Sequence, residues 1–247
     1  MSEAIRCDNL TIGYGTHVVQ SALMFSLNEG EMVCMLGPNG CGKSTLLRTL
    51  AGLQPPLGGT YRLLGVSSEK AGESSAERAK HLALVLTERL SLEHTTVHDV
   101  VAMGRYPYSS FLGGLPADDE AVIADALQQV GLQDMADTYF NNHSDGEKQR
   151  ILIAKALAQQ TPVILLDEPT AHLDLPNRIR TLQLLRHLAH EQGKTILIST
   201  HELDLALQLS DRILLMSDEG IQLDTAQALR ARNAFTAAFK MDIFHPL

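Results

Sequence analysis

The sequence predicts an α/β fold with a mostly parallel β-sheet and an inserted helical segment. Three observations predict it. Short apolar runs suited to buried strands recur along the chain, helical apolar periodicity fills most of the intervals, and residues 97–160 break that alternation with a stretch that reads as largely helical. The chain has 247 residues, 45% of them hydrophobic, enough for one domain with a substantial core. The expected division is an α/β core from residues 1–96 and 161–247, with a helical subdomain at about 97–160 set into it.

Taken in order, residues 4–12 and 31–36 carry β-like apolar runs, and between them Gly13 and Gly15 flank Tyr14 in a turn. The run GLQPPLGGTYRLLG, residues 52–65, is rich in turn formers and leads into a strand at 60–64. Further strands are expected at 82–86, 163–166, 195–199 and 212–216. Within the insert, residues 121–132 and 146–158 carry the clearest helical patterns. A later helix follows Pro176, with Asp174 placed to cap it and Ile179, Leu182, Leu185 and Leu188 as its core-facing stripe. The segment after Asp224 is too short for a separate regulatory domain.

Composition excludes several classes of function. With 20 Lys+Arg against 29 Asp+Glu the formal net charge is -9, and no basic block offers the clustered charge that general nucleic-acid binding needs. The longest apolar runs, residues 32–36 and 163–166, fall far short of the ~18–20 residues that span a bilayer, so the chain is not expected to cross a membrane alone. The start MSEAIRCDNL has no basic segment followed by an apolar one, and no secretory leader is expected. Cys7, Cys34 and Cys41 are too few for a disulfide framework or a four-ligand zinc site, which points to a reducing, cytosolic setting. His94 and His98 have helical spacing but no evident third ligand, and are expected to be solvated.

The chemistry is concentrated in four places. After the strand ending at Leu36 comes GPNGCGKST, residues 37–45, followed by a helical segment. Gly37, Gly40 and Gly42, with Pro38, Asn39 and Cys41 between them, let successive backbone N–H groups turn toward one anion, and the helix that follows adds its positive end. Lys43 supplies a charge for the β- and γ-phosphates, and Ser44 is placed to ligate Mg²⁺, so the loop reads as a triphosphate cradle. Cys41 lies where amides and Lys43 favour a thiolate, although a small side chain fitting a tight loop is the simpler reading.

The second place is PVILLDEPT, residues 162–170, a buried strand ending in two adjacent acids. Asp167 at the tip is suited to a Mg²⁺-bound water, and Glu168 to orienting or deprotonating an attacking water. The third is ILISTHEL, residues 196–203, whose polar tip at Ser199, Thr200 and His201 puts an imidazole beside the other strand ends; position alone leaves a γ-phosphate contact and a packing role equally open. The fourth is HSDGEKQR, residues 143–150, where Ser144 and Glu147 form a capping box and Gly146 allows close approach, making a second helix N-terminus for an anion.

Together and in this order, Tyr14, GPNGCGKST, GRYPY (104–108), HSDGEKQR, LLDEPT, AHLD (171–174) and STHE resemble the ATP-binding cassettes of ABC transporters, over nearly the whole chain. GRYPY after TVHDVVAM is similar to the cassettes of bacterial importers for iron-siderophore complexes, haem and cobalamin. The resemblance implies a P-loop core with an antiparallel β subdomain and an inserted helical subdomain. It also implies a head-to-tail homodimer with two ATP molecules between the subunits. In that arrangement Tyr14 would stack on adenine, Gly40, Gly42, Lys43, Ser44 and Thr45 would hold phosphates, and Ser44 with Asp167 would hold Mg²⁺. Glu168 would be the general base and His201 the γ-phosphate sensor; Ser144, Gly146 and Glu147 would face the partner subunit's ATP, and Asp174 would sit in the loop that communicates across the dimer.

The chain departs from the family pattern at three points. His143 and Asp145 replace the first and third signature residues, Glu88 stands where a glutamine is expected and would add negative charge near Mg²⁺ and the γ-phosphate, and His172 lies in the communication loop. The implied partners are integral membrane permease subunits, and through them a substrate-binding protein, with the chain peripheral on the cytoplasmic face of the inner membrane. Tyr106 and Tyr108 either dock such a partner or pack. The competing readings are a cassette of another importer or exporter, and a soluble non-transport ABC ATPase. The latter commonly carries long coiled-coil insertions or two cassettes in one chain, and this sequence has neither.

Overall fold

A computed structural model describes residues 2–68, 75–86, 92–108, 117–171 and 173–240. The chain opens with a long hairpin, β1 (Glu3–Tyr14) and β2 (His17–Asn28), followed by β3 (Met32–Leu36) and α1 (Lys43–Leu50). Next come β4 (Gly58–Leu63), β5 (Val66–Ser67), a single helical turn α2 (Ser75–Arg78) and β6 (Leu82–Val85). The insert holds α3 (Val97–Ala102), a 3-10 helix at Met103–Tyr108, α4 (Ala117–Gln129) and α5 (Asp145–Ala158). The chain then returns to the sheet through β7 (Val163–Asp167), α6 (Leu175–Gln192), β8 (Thr195–Ser199), α7 (Leu203–Leu209), β9 (Arg212–Ser217) and β10 (Gly220–Asp224), and α8 (Ala226–Ala231) and α9 (Ala234–Phe239) follow.

Among the described residues the strands form two sheets, ordered β2-β1-β4-β5 and β10-β9-β3-β8-β7-β6. The first is antiparallel throughout; the second is parallel except for the β9–β10 edge pair. The parallel strands are buried on both faces, which is why they appear in sequence as unbroken apolar runs without alternation. Each of them divides its residues between two cores. Met32, Cys34 and Leu36 of β3 join Ile164, Leu166, Ile196 and Ile198 under the helices. Val33 and Met35 join Leu165, Leu197 and Leu214 on the other face, against α1 and the antiparallel sheet.

β2 goes unmarked in the sequence reading, and its geometry shows why. Leu23, Phe25 and Leu27 point inward, but Ala22 has φ 54, which interrupts the strand's alternation, and Met24 faces solvent at 68% exposure. The core stripe of α6 also shifts: Thr181, Leu182, Leu185, Leu188 and Ala189 are buried, whereas Ile179 is half-buried near the start of the helix. Asp174 caps that helix as expected, its Oδ1 accepting the Asn177 N–H at 3.1 Å.

The insert is anchored by Arg105, 6% exposed. Its Nε donates to Asp119 Oδ1 at 2.8 Å, its Nη1 donates to the Ala158 carbonyl at 2.7 Å and to Gln160 Oε1 at 2.9 Å, and its guanidinium carbon lies 4.1 Å from the Tyr108 ring centre. Tyr108 also donates to the Gln159 carbonyl at 2.9 Å, whereas Tyr106 is 64% exposed. The two tyrosines therefore divide the readings left open for them: Tyr108 packs, and Tyr106 faces solvent. The two histidines do not share a helix. His94 stands in a turn with φ 55, and His98, on α3, is not simply solvated, since its Nε2 lies 2.9 Å from Glu120 Oε2. No cluster of three or more His, Cys, Asp or Glu side chains able to hold a metal occurs among the described residues. No helix among them is long and apolar enough to cross a membrane.

Candidate functional site

The parallel register levels three strand ends. Met35 of β3 pairs with Ser199 of β8, and Ser199 pairs with Asp167 of β7. The loop after β3, the acids after β7 and His201 after β8 thus share one edge of the sheet, the carboxyl-end edge where open α/β sheets carry their ligand sites.

The loop 37–42 is shaped by its glycines. At Gly37 any Cβ would come within 2.4 Å of the Met216 carbonyl oxygen, so the strand can turn only there without a side chain. Gly42 has φ 105, a conformation L residues rarely adopt, and hands the chain directly to α1. Lys43 is 6% exposed, and its Nζ donates to the Gly37 carbonyl at 2.9 Å and to the Pro38 carbonyl at 3.2 Å, bracing the loop from within. Asn39, Gly40 and Ser44 are exposed, whereas Thr45 is buried and donates from Oγ1 to the Tyr14 hydroxyl at 3.3 Å. Tyr14 itself is half-exposed.

A residue the sequence reading passed over completes the loop. Gln20, buried in β2, donates from Nε2 to the Cys41 carbonyl at 3.1 Å and the Ser217 carbonyl at 2.8 Å, tying the antiparallel sheet, the loop and β9 together. A lone glutamine in an apolar strand was the available signal.

Of the two readings of Cys41, the structure favours the small side chain fitted into a tight loop over the thiolate. The side chain is buried, and burial pushes its thiol above the usual range despite the opposing charge of Lys43. Burial likewise raises Cys7, and Cys34 is pushed up to about 12. Raised thiol pKa values mean protonated, unreactive sulfur near neutrality. At pH 8 a disulfide exchange reagent is expected to modify none of the three cysteines of the native chain within minutes, and all three after denaturation. Rapid native labelling that maps to Cys41 would restore the thiolate.

The acids are held through β8. Asp167 is 7% exposed and accepts from Ser199 Oγ at 2.5 Å. Glu168 has φ 48, and its N–H reaches both Ser199 Oγ at 2.9 Å and the Ser199 carbonyl at 3.1 Å. That left-handed residue swings its side chain away from the strand axis, and Glu168 Oε1 meets His201 Nε2 at 2.5 Å, with both side chains partly open to solvent. The structure thus brings Glu168 and His201, singled out separately in the sequence, into contact. For Mg²⁺, Ser44 and Asp167 offer a hydroxyl and a carboxylate, hard oxygen donors that fit this ion. Glu88 and His172 lie outside the described residues.

Ser144, Gly146 and Glu147 stand in the insert at the start of α5. Ser144 Oγ accepts the Glu147 N–H at 3.3 Å, while Glu147 Oε2 accepts from Ser144 Oγ at 2.8 Å and from the Ser144 N–H at 2.9 Å, a full capping box. Those two hydrogen bonds, the hydroxyl's first, hold the Glu147 carboxyl below its usual range. His143 braces the same turn, its Nε2 2.7 Å from Thr138 Oγ1. Gly146 faces Leu173, just before α6, where an added Cβ would lie 3.3 Å from the leucine side chain. Arg178 continues this connection: its Nε donates to the Leu173 carbonyl at 2.7 Å and its Nη1 to Glu202 Oε1 at 2.5 Å, next to His201.

A glycine-shaped loop opening a helix, paired acids and a histidine on one sheet edge, and a second capped helix end in an inserted helical subdomain define a nucleotide-hydrolysing cassette. The chain belongs to the ABC transporter family, whose pattern matches residues 21–171, and it is an ATP-binding ATPase subunit of that family. It is 36% identical over 240 residues to the iron(3+)-hydroxamate import ATP-binding protein FhuC of Bacillus subtilis, covering 97% of this chain and 88% of that protein. It is 40% identical over 210 residues to the achromobactin transport ATP-binding protein CbrD of Dickeya dadantii, covering 85% and 77%. The fold matches that of a dimeric bacterial ABC transporter cassette with a TM-score of 0.79 and 26% identity, over 90% of this chain and 98% of that one.

Proposed function

We propose that this chain powers uptake of an iron-siderophore, haem or cobalamin-type substrate through a separate membrane permease, from the cytoplasmic face of the inner membrane. The observation that carries the reading is the gathering of Lys43, Asp167, Glu168 and His201 on one sheet edge. The names of two relatives, one for iron(3+)-hydroxamate import and one for achromobactin transport, support an iron-complex substrate.

In this reading two copies associate head to tail, and each ATP lies between the loop 37–45 of one subunit and the Ser144–Gly146 helix end of the other. Tyr14 stacks on the adenine, the exposed amides of the loop and Lys43 take the phosphates, and Asp174 works at the subunit boundary. Ser44 and Asp167 would hold Mg²⁺, which when bound supplies positive charge against the phosphate oxygens. Glu168 accepts the proton of the attacking water, and the adjacent imidazole of His201 orients that carboxylate and meets the γ-phosphate. Loss of the γ-phosphate removes the link between subunits, and the dimer opens.

The exposed Tyr106 and the groove of about 170 Å³ lined by Leu84, Leu86, Leu152, Lys155 and Gln159, between β6 and α5, support a docking place for the permease. Affinity purification of the chain from detergent-solubilised membranes is expected to bring down one polytopic protein whose reconstitution stimulates ATP hydrolysis. Hydrolysis with no membrane partner and no stimulation would favour a non-transport ATPase.

A further inference from the structure

Ser199 lies on the same sheet edge, and the cradle, the acids and the histidine leave it no assigned task. It ends the run TILIS, a strand buried at every position, and its side chain is itself fully buried. A hydroxyl in such a place is tolerated only where its hydrogen-bonding capacity is used. Both of its uses lead to the two acids. The hydroxyl donates to Asp167 Oδ1 at 2.5 Å, a short bond to a carboxylate, and accepts the Glu168 N–H at 2.9 Å. One atom therefore sets the rotation of the Asp167 carboxylate and also pins the peptide that carries Glu168.

The second bond acts where the backbone is least content. Glu168 has φ 48, a left-handed conformation that a side chain with a Cβ occupies only when its surroundings hold it there. The Ser199 hydroxyl and carbonyl share that task on the same N–H. Without the hydroxyl, Asp167 Oδ1 loses the short bond from Ser199 inside a buried strand pair, and the left-handed turn loses one of its two acceptors.

We propose that Ser199 is a positioning residue for ATP hydrolysis, setting the Asp167 carboxylate and the Glu168 peptide in register with each other from the neighbouring strand. The inference rests on the reading of Asp167 and Glu168 given above. It differs from it in assigning work to a residue that touches neither nucleotide nor water.

The test uses the full-length chain with Ser199→Ala, which removes both bonds, and Ser199→Thr, which keeps the hydroxyl. In Ser199→Ala, kcat is expected to fall about tenfold, and the affinity for Mn²⁺ in the presence of a non-hydrolysable ATP analogue to weaken about tenfold, the lower end of what removing a ligand's hydrogen-bond partner costs. The KM for ATP and the affinity for a fluorescent ATP analogue in EDTA should stay near wild type, while the thermal unfolding midpoint falls by a few degrees. Ser199→Thr should recover most of kcat and of the Mn²⁺ affinity. Unchanged kcat and Mn²⁺ affinity in Ser199→Ala would overturn the inference. So would a parallel loss of EDTA-insensitive nucleotide binding and thermal midpoint with no recovery in Ser199→Thr, which marks a purely structural residue. A wild-type chain that does not hydrolyse ATP would instead sink the underlying reading of the acids.

Discussion

Replacing Glu168 by Gln is expected to lower ATP turnover by about a hundred- to ten-thousand-fold, the range a positioned general base contributes. The substitution keeps the size and the backbone of the residue, so the N–H bond to Ser199 survives, and only the capacity to take a proton is lost. Nucleotide binding should be retained, because the phosphate loop and Lys43 are untouched. In the proposed head-to-tail arrangement, a subunit that binds ATP but cannot cleave it would leave the two copies bridged. The variant should therefore elute as a dimer in ATP and Mg²⁺ and as a monomer without them. Size-exclusion chromatography and a phosphate-release assay measure the two effects separately. Normal turnover in this variant would remove Glu168 from the role, and His201, at 2.5 Å from its carboxylate, would be the next group to test.

The second large effect concerns stability. Asp119→Ala is expected to destabilise the chain by about 3–5 kcal/mol, because it strands a guanidinium in a place closed to water. Arg105 and Asp119 are 6% and 3% exposed, so solvent screening offers little relief. The pair is not ideal even as it stands, since Asp119 Oδ2 is buried with no hydrogen-bond partner. That defect predicts an asymmetry. Replacing both members with apolar residues of similar size, Arg105→Met with Asp119→Leu, should cost far less than either single change, because no charge is left behind. Some cost remains, as Nη1 of Arg105 also serves the Ala158 carbonyl at the end of α5 and the Gln160 side chain. Urea denaturation of the two single variants and the double variant gives the coupling directly. A double-variant loss equal to the sum of the two single losses would show that the two side chains act independently and that the ion pair is not what holds the insert together.

What could be read from the sequence was what is local in it. The loop 37–45 carries its own chemistry within nine consecutive positions, and LLDEP and STHE are each a buried strand ending in polar residues. Patterns of that kind survive without knowledge of neighbours. The features that escaped depend on residues distant in the chain. Ser199 was visible as a polar strand tip, but its task requires Asp167, 32 positions earlier, to lie beside it. Gln20 acquires meaning only when Cys41 and Ser217 are brought to it. His98 looked solvated because its partner, Glu120, is 22 positions away across two helices. The thiolate alternative for Cys41 is set aside for a related reason: a neighbouring lysine is legible in sequence, whereas burial is not, and burial is the larger of the two influences. β2 was missed because a residue with φ 54 at Ala22 interrupts the strand's alternation midway.

The division of β3 between two cores has a mechanical consequence. Five residues alternate between one packed layer and the other, and the strand pairs on both sides, with β8 and β9. To loosen that strand, the molecule must open both layers together, which places it among the last segments to yield in any partial unfolding. The phosphate loop begins at the very next residue. One end of the cradle is thus fixed to a doubly packed strand and the other, at Cys41, is held by Gln20 and runs into α1, which leaves Asn39 and Gly40 between them exposed to solvent.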